Sequence, residues 1–139
     1  MTNFDTIFNQ SAESAGLATF IVENMPDRAT HAATQYKFPC IWRNFNETFQ
    51  PLFDNQQRYE REMSLYFVHI GFSKLSKETI NVNIESLMAQ FLVFKDKMNR
   101  AGVELLLNGK PFPNWKQTNY DEYGIVFNLT ARYTICPTV

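Results

Sequence analysis

The clearest pattern in the chain is an alternation with a period of two over residues 123–136. Tyr123, Ile125, Phe127, Leu129, Ala131, Tyr133 and Ile135 take the odd positions, while Gly124, Val126, Asn128, Thr130, Arg132, Thr134 and Cys136 take the even ones. Successive side chains on a pleated strand point to opposite faces, so one face is apolar, the other mostly polar, and the apolar face needs a covering layer. A second long strand is predicted over residues 60–72. Met63, Leu65, Phe67 and His69 share one side there, and Tyr66, Val68, Ile70 and Phe72 the other, the two-sided burial of a central strand. Shorter strands are predicted over 38–45, where Pro39 requires the strand to start at an edge or to pair only after Pro39, and over 103–107.

Helical spacing is plainest over residues 83–102. Ile84, Leu87, Met88, Phe91, Phe94 and Met98 fall on one side, Leu92 lies at its margin and Lys95 inside the arc, with Asn83 as N-cap and Gly102 in the left-handed position beyond the end. Residues 4–25 read either as one amphipathic helix or as a loose arm followed by a helix from about Ser11, stopped by Pro26. Two long connections, 46–59 and 108–120, carry apolar residues in otherwise polar, turn-rich sequence. These elements imply a single α+β domain over residues 1–139, with a mostly antiparallel sheet of about four strands and helices packed on one face.

Composition narrows the functional classes. A chain of 139 residues buries roughly 68% of its unfolded surface, enough for a core without metal or disulfide. The formal charge of −1 supplies no global field toward nucleic acid or anionic lipid. Cys40 and Cys136 lack the spacing of a metal site and are expected to be reduced thiols of a cytoplasmic protein. The start has no basic and apolar leader pattern, and no apolar run approaches the ~20 residues of a membrane helix.

Candidate chemistry is sparse. The histidines, His31 and His69, stand in no HxH, HxxE or HExxH spacing, so no metal or cofactor is expected. A Cys40 and His69 pair on neighbouring strands is conceivable, but nothing local lowers the thiol pKa. Glu60 with Glu62 and Asp121 with Glu122 lie at element ends among polar neighbours and read as solvated charge. Lys95, Lys97, Arg100, Lys110 and Lys116 form a loose basic zone with Asp96 and Glu104 interspersed. No catalytic set emerges, and the chain is expected not to be an enzyme. The unusual feature is apolar: Trp42, Phe49, Leu52, Phe53, Phe112 and Trp115 sit where a small monomer would expose them, so either some of them fold back on the core or they are oligomer-interface residues.

In size, element order and long interstrand loops the chain resembles the tail terminator, or tail completion, proteins of long-tailed bacteriophages. The resemblance runs through the N-terminal helix, Phe38-Pro39-Cys40-Ile41-Trp42-Arg43, the strand over 58–72, the helix over 83–102 and the strand over 123–136. It implies a homo-oligomeric ring, usually of six copies, that caps the tail tube and meets the head connector, with DNA passing through without sequence-specific binding. It also implies a place in the virion neck, reached from the host cytoplasm. A small-ligand-binding or enzymatic α+β cone is the alternative, with His69, Tyr66 and Tyr133 facing a cavity. Another neck or connector protein would share the ring and differ in its neighbours.

Overall fold

Two thirteen-residue strands, β4 (Arg58–Ile70) and β7 (Glu122–Thr134), run antiparallel in the middle of the sheet and pair along their whole length, from Arg58 opposite Thr134 to Ile70 opposite Glu122. The computed structural model describes residues 4–22, 37–44, 48–51, 58–115 and 121–134. Around the central pair lie α1 (Phe4–Ser14), β1 (Ala18–Val22), β2 (Cys40–Asn44), β3 (Thr48–Pro51), α2 (Lys77–Arg100), β5 (Val103–Leu107) and β6 (Phe112–Trp115). The sheet order is β1, β2, β4, β7, β5, with β3 also on β4 and β6 also on β7. The fold is α+β with a mostly antiparallel sheet, as the alternation implies; β1 beside β2 is the parallel pair.

Among the described residues the sheet has seven strands, where about four were expected. The difference comes from the stretches read as long loops. One flank of β4 is taken by β7, which leaves thirteen residues of unpaired backbone on the other. There β2 pairs with Leu65 to Val68 and β3 with Tyr59 to Glu62, end to end. Along the outer flank of β7, β5 and β6 do the same, with an irregularity between Phe112 and Trp115. Backbone N–H and C=O groups at a sheet centre must be paired, and this demand overrides the weak strand propensity of Thr48-Phe49-Gln50-Pro51 and Phe112-Pro113-Asn114-Trp115.

Both described helices pack on the odd face of β7. Phe67, Phe127, Phe91 and Phe94 form its centre, with Phe91 stacked on Phe127 at 3.9 Å and Phe67 edge-on to Phe127 at 5.0 Å. Phe8 of α1 meets Phe94 edge-on at 5.1 Å, which joins the helices to each other. Met63, Leu65, Ile125 and Leu129 complete the floor. Removing any of these large side chains would forfeit about 3 kcal/mol or more, because close-packed interiors collapse poorly onto a void.

Two helix boundaries differ from expectation. The first helix spans Phe4–Ser14, neither continuing to residue 25 nor starting at Ser11. Gly16 takes a left-handed φ of +78°, its N–H reaches the Glu13 carbonyl and the Leu17 N–H reaches that of Ala12. That is a Schellman close, and the following Ala18-Thr19-Phe20-Ile21-Val22 is strand-forming sequence whose helix-like spacing is incidental. The second helix starts at Lys77, capped by the Ser76 hydroxyl accepting from the Thr79 N–H, so the proposed cap Asn83 lies inside it. Asn83 instead donates through Nδ2 to the buried Tyr123 hydroxyl at 2.6 Å.

Arg43 anchors the start of α1. Its side chain is 6% exposed, ion-paired with the Asp5 carboxylate at 2.7 Å, and its guanidinium lies 5.0 Å from the Phe4 ring and 4.8 Å from the Phe8 ring. Arg61 approaches Phe4 from the same sheet surface at 4.4 Å. Cations over aromatic faces gain from the ring quadrupole, more so once desolvated.

Gly124 is the tightest point of the central ladder. A Cβ there would fall 1.8 Å from the Phe67 carbonyl oxygen and 2.8 Å from its carbon, both backbone. Relief requires the two central strands to separate. Gly124→Ala should destabilise the domain by about 3 kcal/mol or more, read as a lower denaturant midpoint or loss of soluble protein. An unchanged midpoint would show that β7 does not approach β4 so closely.

Candidate assembly surface

The even face of β7 and its neighbours is the surface without a helix: among the described residues, both helices contribute to the core on the opposite face. One straight row crosses five strands of this open face. Phe20 pairs with Trp42, Trp42 with Tyr66, Tyr66 with Val126 and Val126 with Phe112. Large side chains directly opposite each other across strands support one another and keep the row straight. Beside it on the same face Cys40 and Val68 are fully buried with Trp42, and Ala18, Phe20, Phe38 and Tyr66 pack around them, so this part of the face is a second buried cluster.

The other half of the open face is polar. Arg132 holds Glu60 at 2.9 Å, Ser64 donates to the Asn128 Oδ1 at 2.6 Å, and Asn108 Nδ2 donates to Thr130 Oγ1 at 2.8 Å. These bonds satisfy groups that β-pairing places opposite or beside each other, and they leave Glu62 and Glu104 exposed. The even face is therefore divided into an aromatic half, buried at Trp42 and Val126 and exposed at Phe112, and a polar, hydrogen-bonded half.

The six interface candidates separate on this surface. Phe112, 59% exposed, is the one whose side chain stands open as expected. Trp42 does not: it is fully buried in a second apolar cluster with Cys40 and Val68, with Phe38 edge-on at 6.2 Å. Phe49 and Trp115 belong to β3 and β6, and their side chains lie outside the described residues, as do Leu52 and Phe53 altogether. Pairwise register is the signal that would have found the row. It needs the partner strands, which one strand's alternation does not identify.

The catalytic candidates are dispersed. Cys40 lies on the open face and His69, one position beyond Val68, on the helix face, stacked on Tyr123 at 5.9 Å, so the sheet separates them. Burial pushes the Cys40 thiol well above its ordinary pKa, which keeps it protonated and unreactive at neutral pH. Tyr66 is on the open face while Tyr133 is on the helix face, where its hydroxyl accepts from Arg61 at 3.4 Å. His69, Tyr66 and Tyr133 therefore share no cavity, and the space between helices and sheet is filled by the phenylalanine cluster. Glu60 is held in the Arg132 pair while Glu62 stays exposed. Glu122 is buried, and Asp121 braces the 71–73 turn: its carbonyl accepts the Gly71 and Phe72 N–H groups and its carboxylate the Ser73 hydroxyl. His31 and Lys116 lie outside the described residues. Of the remaining basic zone, Arg100 pairs with Asp96 at 2.9 Å, and Lys97 and Lys110 are exposed. Among the described residues no group of histidine, cysteine and carboxylate side chains is arranged to hold a metal, and no helix is long and apolar enough to cross a membrane. The chain matches no protein-family model and no characterised protein by sequence.

Burial lowers the His69 pKa from its ordinary value of 6.5, so folding favours the neutral ring. Its contribution to stability is complete above that value and is lost as the pH falls through the lower folded one. Thermal unfolding followed between pH 7.5 and about pH 5 should show a decline that His69→Phe makes shallower. Equal slopes for both proteins would assign the acid sensitivity elsewhere.

Proposed function

We propose that this chain is a non-enzymatic virion assembly protein of long-tailed bacteriophages: a tail terminator whose copies close into a ring on the tail tube and join it to the head connector. The observation that carries self-association is Phe112, exposed at the end of an aromatic row on a sheet face that neither helix covers. Exposed aromatic groups continuous with a packed cluster mark association surfaces on soluble proteins. Size and the order of long strand, long helix and second long strand support the phage half of the reading. Rings form by heterologous contact, in which one patch of each copy meets a different patch of the next, and a rigid wedge of sheet and helix suits that geometry. A formal charge of −1 also suits a channel through which DNA slides without being held.

Size-exclusion chromatography with light scattering, and electron microscopy of negatively stained samples, test this directly. The chain alone or with tail tube protein should give closed rings, with six copies the number the resemblance implies. Phe112→Ser should reduce ring formation at least tenfold while leaving the unfolding temperature within a few degrees, because the side chain stands in solvent in the monomer. A strict monomer at every concentration, with and without tube protein, would overturn the reading.

A further inference from the structure

Of the thirteen asparagines in the chain, Asn108 alone is followed by a glycine. The pair opens the four-residue connection between β5 and β6, where Asn108, Gly109 and Lys110 are exposed. Gly109 takes a left-handed φ of +88°, and a Cβ built on it would meet nothing within 4 Å. Its nitrogen is therefore reached from solvent with no side chain beside it. Among the described residues the Gly109 N–H donates to no acceptor, which leaves it open to deprotonation by base.

Asn108 is held more firmly. Its N–H donates to the Asn128 carbonyl and its Nδ2 to Thr130 Oγ1, both at 2.8 Å, and Thr130 is buried on the even face of β7. The first bond fixes the end of β5. The second restrains the carboxamide with a single neutral hydrogen bond, of modest net strength where water competes for the donor. Turning the carboxamide from Thr130 toward the following nitrogen breaks that bond alone, and the two reacting groups then belong to adjacent residues of one exposed turn.

We propose that Asn108 is a site of covalent self-modification, where water hydrolyses the side-chain amide through a ring closed by the Gly109 nitrogen, at a pace set by the Thr130 bond. Base takes the Gly109 amide proton. The nitrogen pair forms a bond to Asn108 Cγ, the Cγ–Nδ2 bond breaks, and Nδ2 leaves as ammonia with a proton from water. A second water opens the five-membered imide at either carbonyl. One opening leaves aspartate, the other isoaspartate, whose main chain is longer by one methylene, and either adds a negative charge. Because β5 and β6 are both fixed to β7, the extra methylene must be absorbed in the connection or in β6, whose register already shifts between Phe112 and Trp115.

Peptide mass spectrometry of the full folded chain, sampled during incubation at mildly alkaline pH, tests this. The peptide carrying Asn108 should gain the mass of water less that of ammonia before any other asparagine does, in both aspartate and isoaspartate forms, and more slowly at mildly acidic pH. Asn108→Gln, which would have to close a larger ring, should abolish the change at this position. Thr130→Val should speed it about fivefold, the shift in population that loss of one ordinary hydrogen bond brings. A urea-unfolded sample gives the reactivity of the pair without the fold. Conversion in urea with Asn108 intact in the folded chain would overturn the site, and equal rates in the parent chain and Thr130→Val would overturn the restraint.

Discussion

The thirteen-pair ladder between β4 and β7 is the constraint on which everything else rests. Pleating assigns each residue of both strands to one face, and the pairing fixes both strands in the same sense. Leu65 with Phe127 and Phe67 with Ile125 must then face the helices, while Tyr66 with Val126 and Glu60 with Arg132 must face away. A slip of one residue would turn the phenylalanine cluster to the outside and the ion pair into the core. Gly124 enforces the close approach of the two backbones at one end of the ladder, and Tyr59 stacked on Tyr133 at 6.1 Å closes the other.

What the ladder does not supply is a reason for α1 to stay. Its eleven residues are below the length at which an isolated helix is stable, so it persists through what it touches. Phe4 and Phe8 enter the core, Gln90 of α2 donates to the Ala15 carbonyl at 3.1 Å, and Arg43 reaches from β2 through the apolar layer to Asp5. A buried arginine is expensive to desolvate, and such a pair is weak evidence of stability in itself. Its value here is directional: Asp5 and the two rings leave one orientation in which the helix satisfies the guanidinium.

The alternation of β7, the central place of β4 and the inward arc of α2 could all be read from the sequence because each is a periodic pattern contained within one element. The parts that escaped depend on partners. β3 and β6 form because a long neighbour presents unpaired backbone, and neither Gln50-Pro51 nor Pro113-Asn114 shows that need in its own composition. The strand after α1 was hidden because Ala18, Ile21 and Val22 happen to satisfy helical spacing, and the Gly16 close was the signal to weigh against it. Which of the six apolar candidates would fold back inward was hidden for the same reason: the neighbours that bury Trp42, Phe20, Phe38 and Tyr66, are distant in sequence or come from other strands. Phe112, at the margin of the sheet, has no such neighbour on its outer side, and there composition alone sufficed.

The position of β7 has a consequence for how a cell makes this molecule. Strands β4, β5 and β6 all bond to β7, which follows them in the chain. A ribosome adding roughly ten residues per second has therefore completed the six other described strands and both described helices before β7 leaves the exit tunnel. For those seconds the aromatic side chains of β4 and α2 have no floor to close on, and exposed apolar surface of this kind favours aggregation. Completion of a single strand then brings four strands together, so the transition is abrupt and late, governed by contacts far apart in sequence.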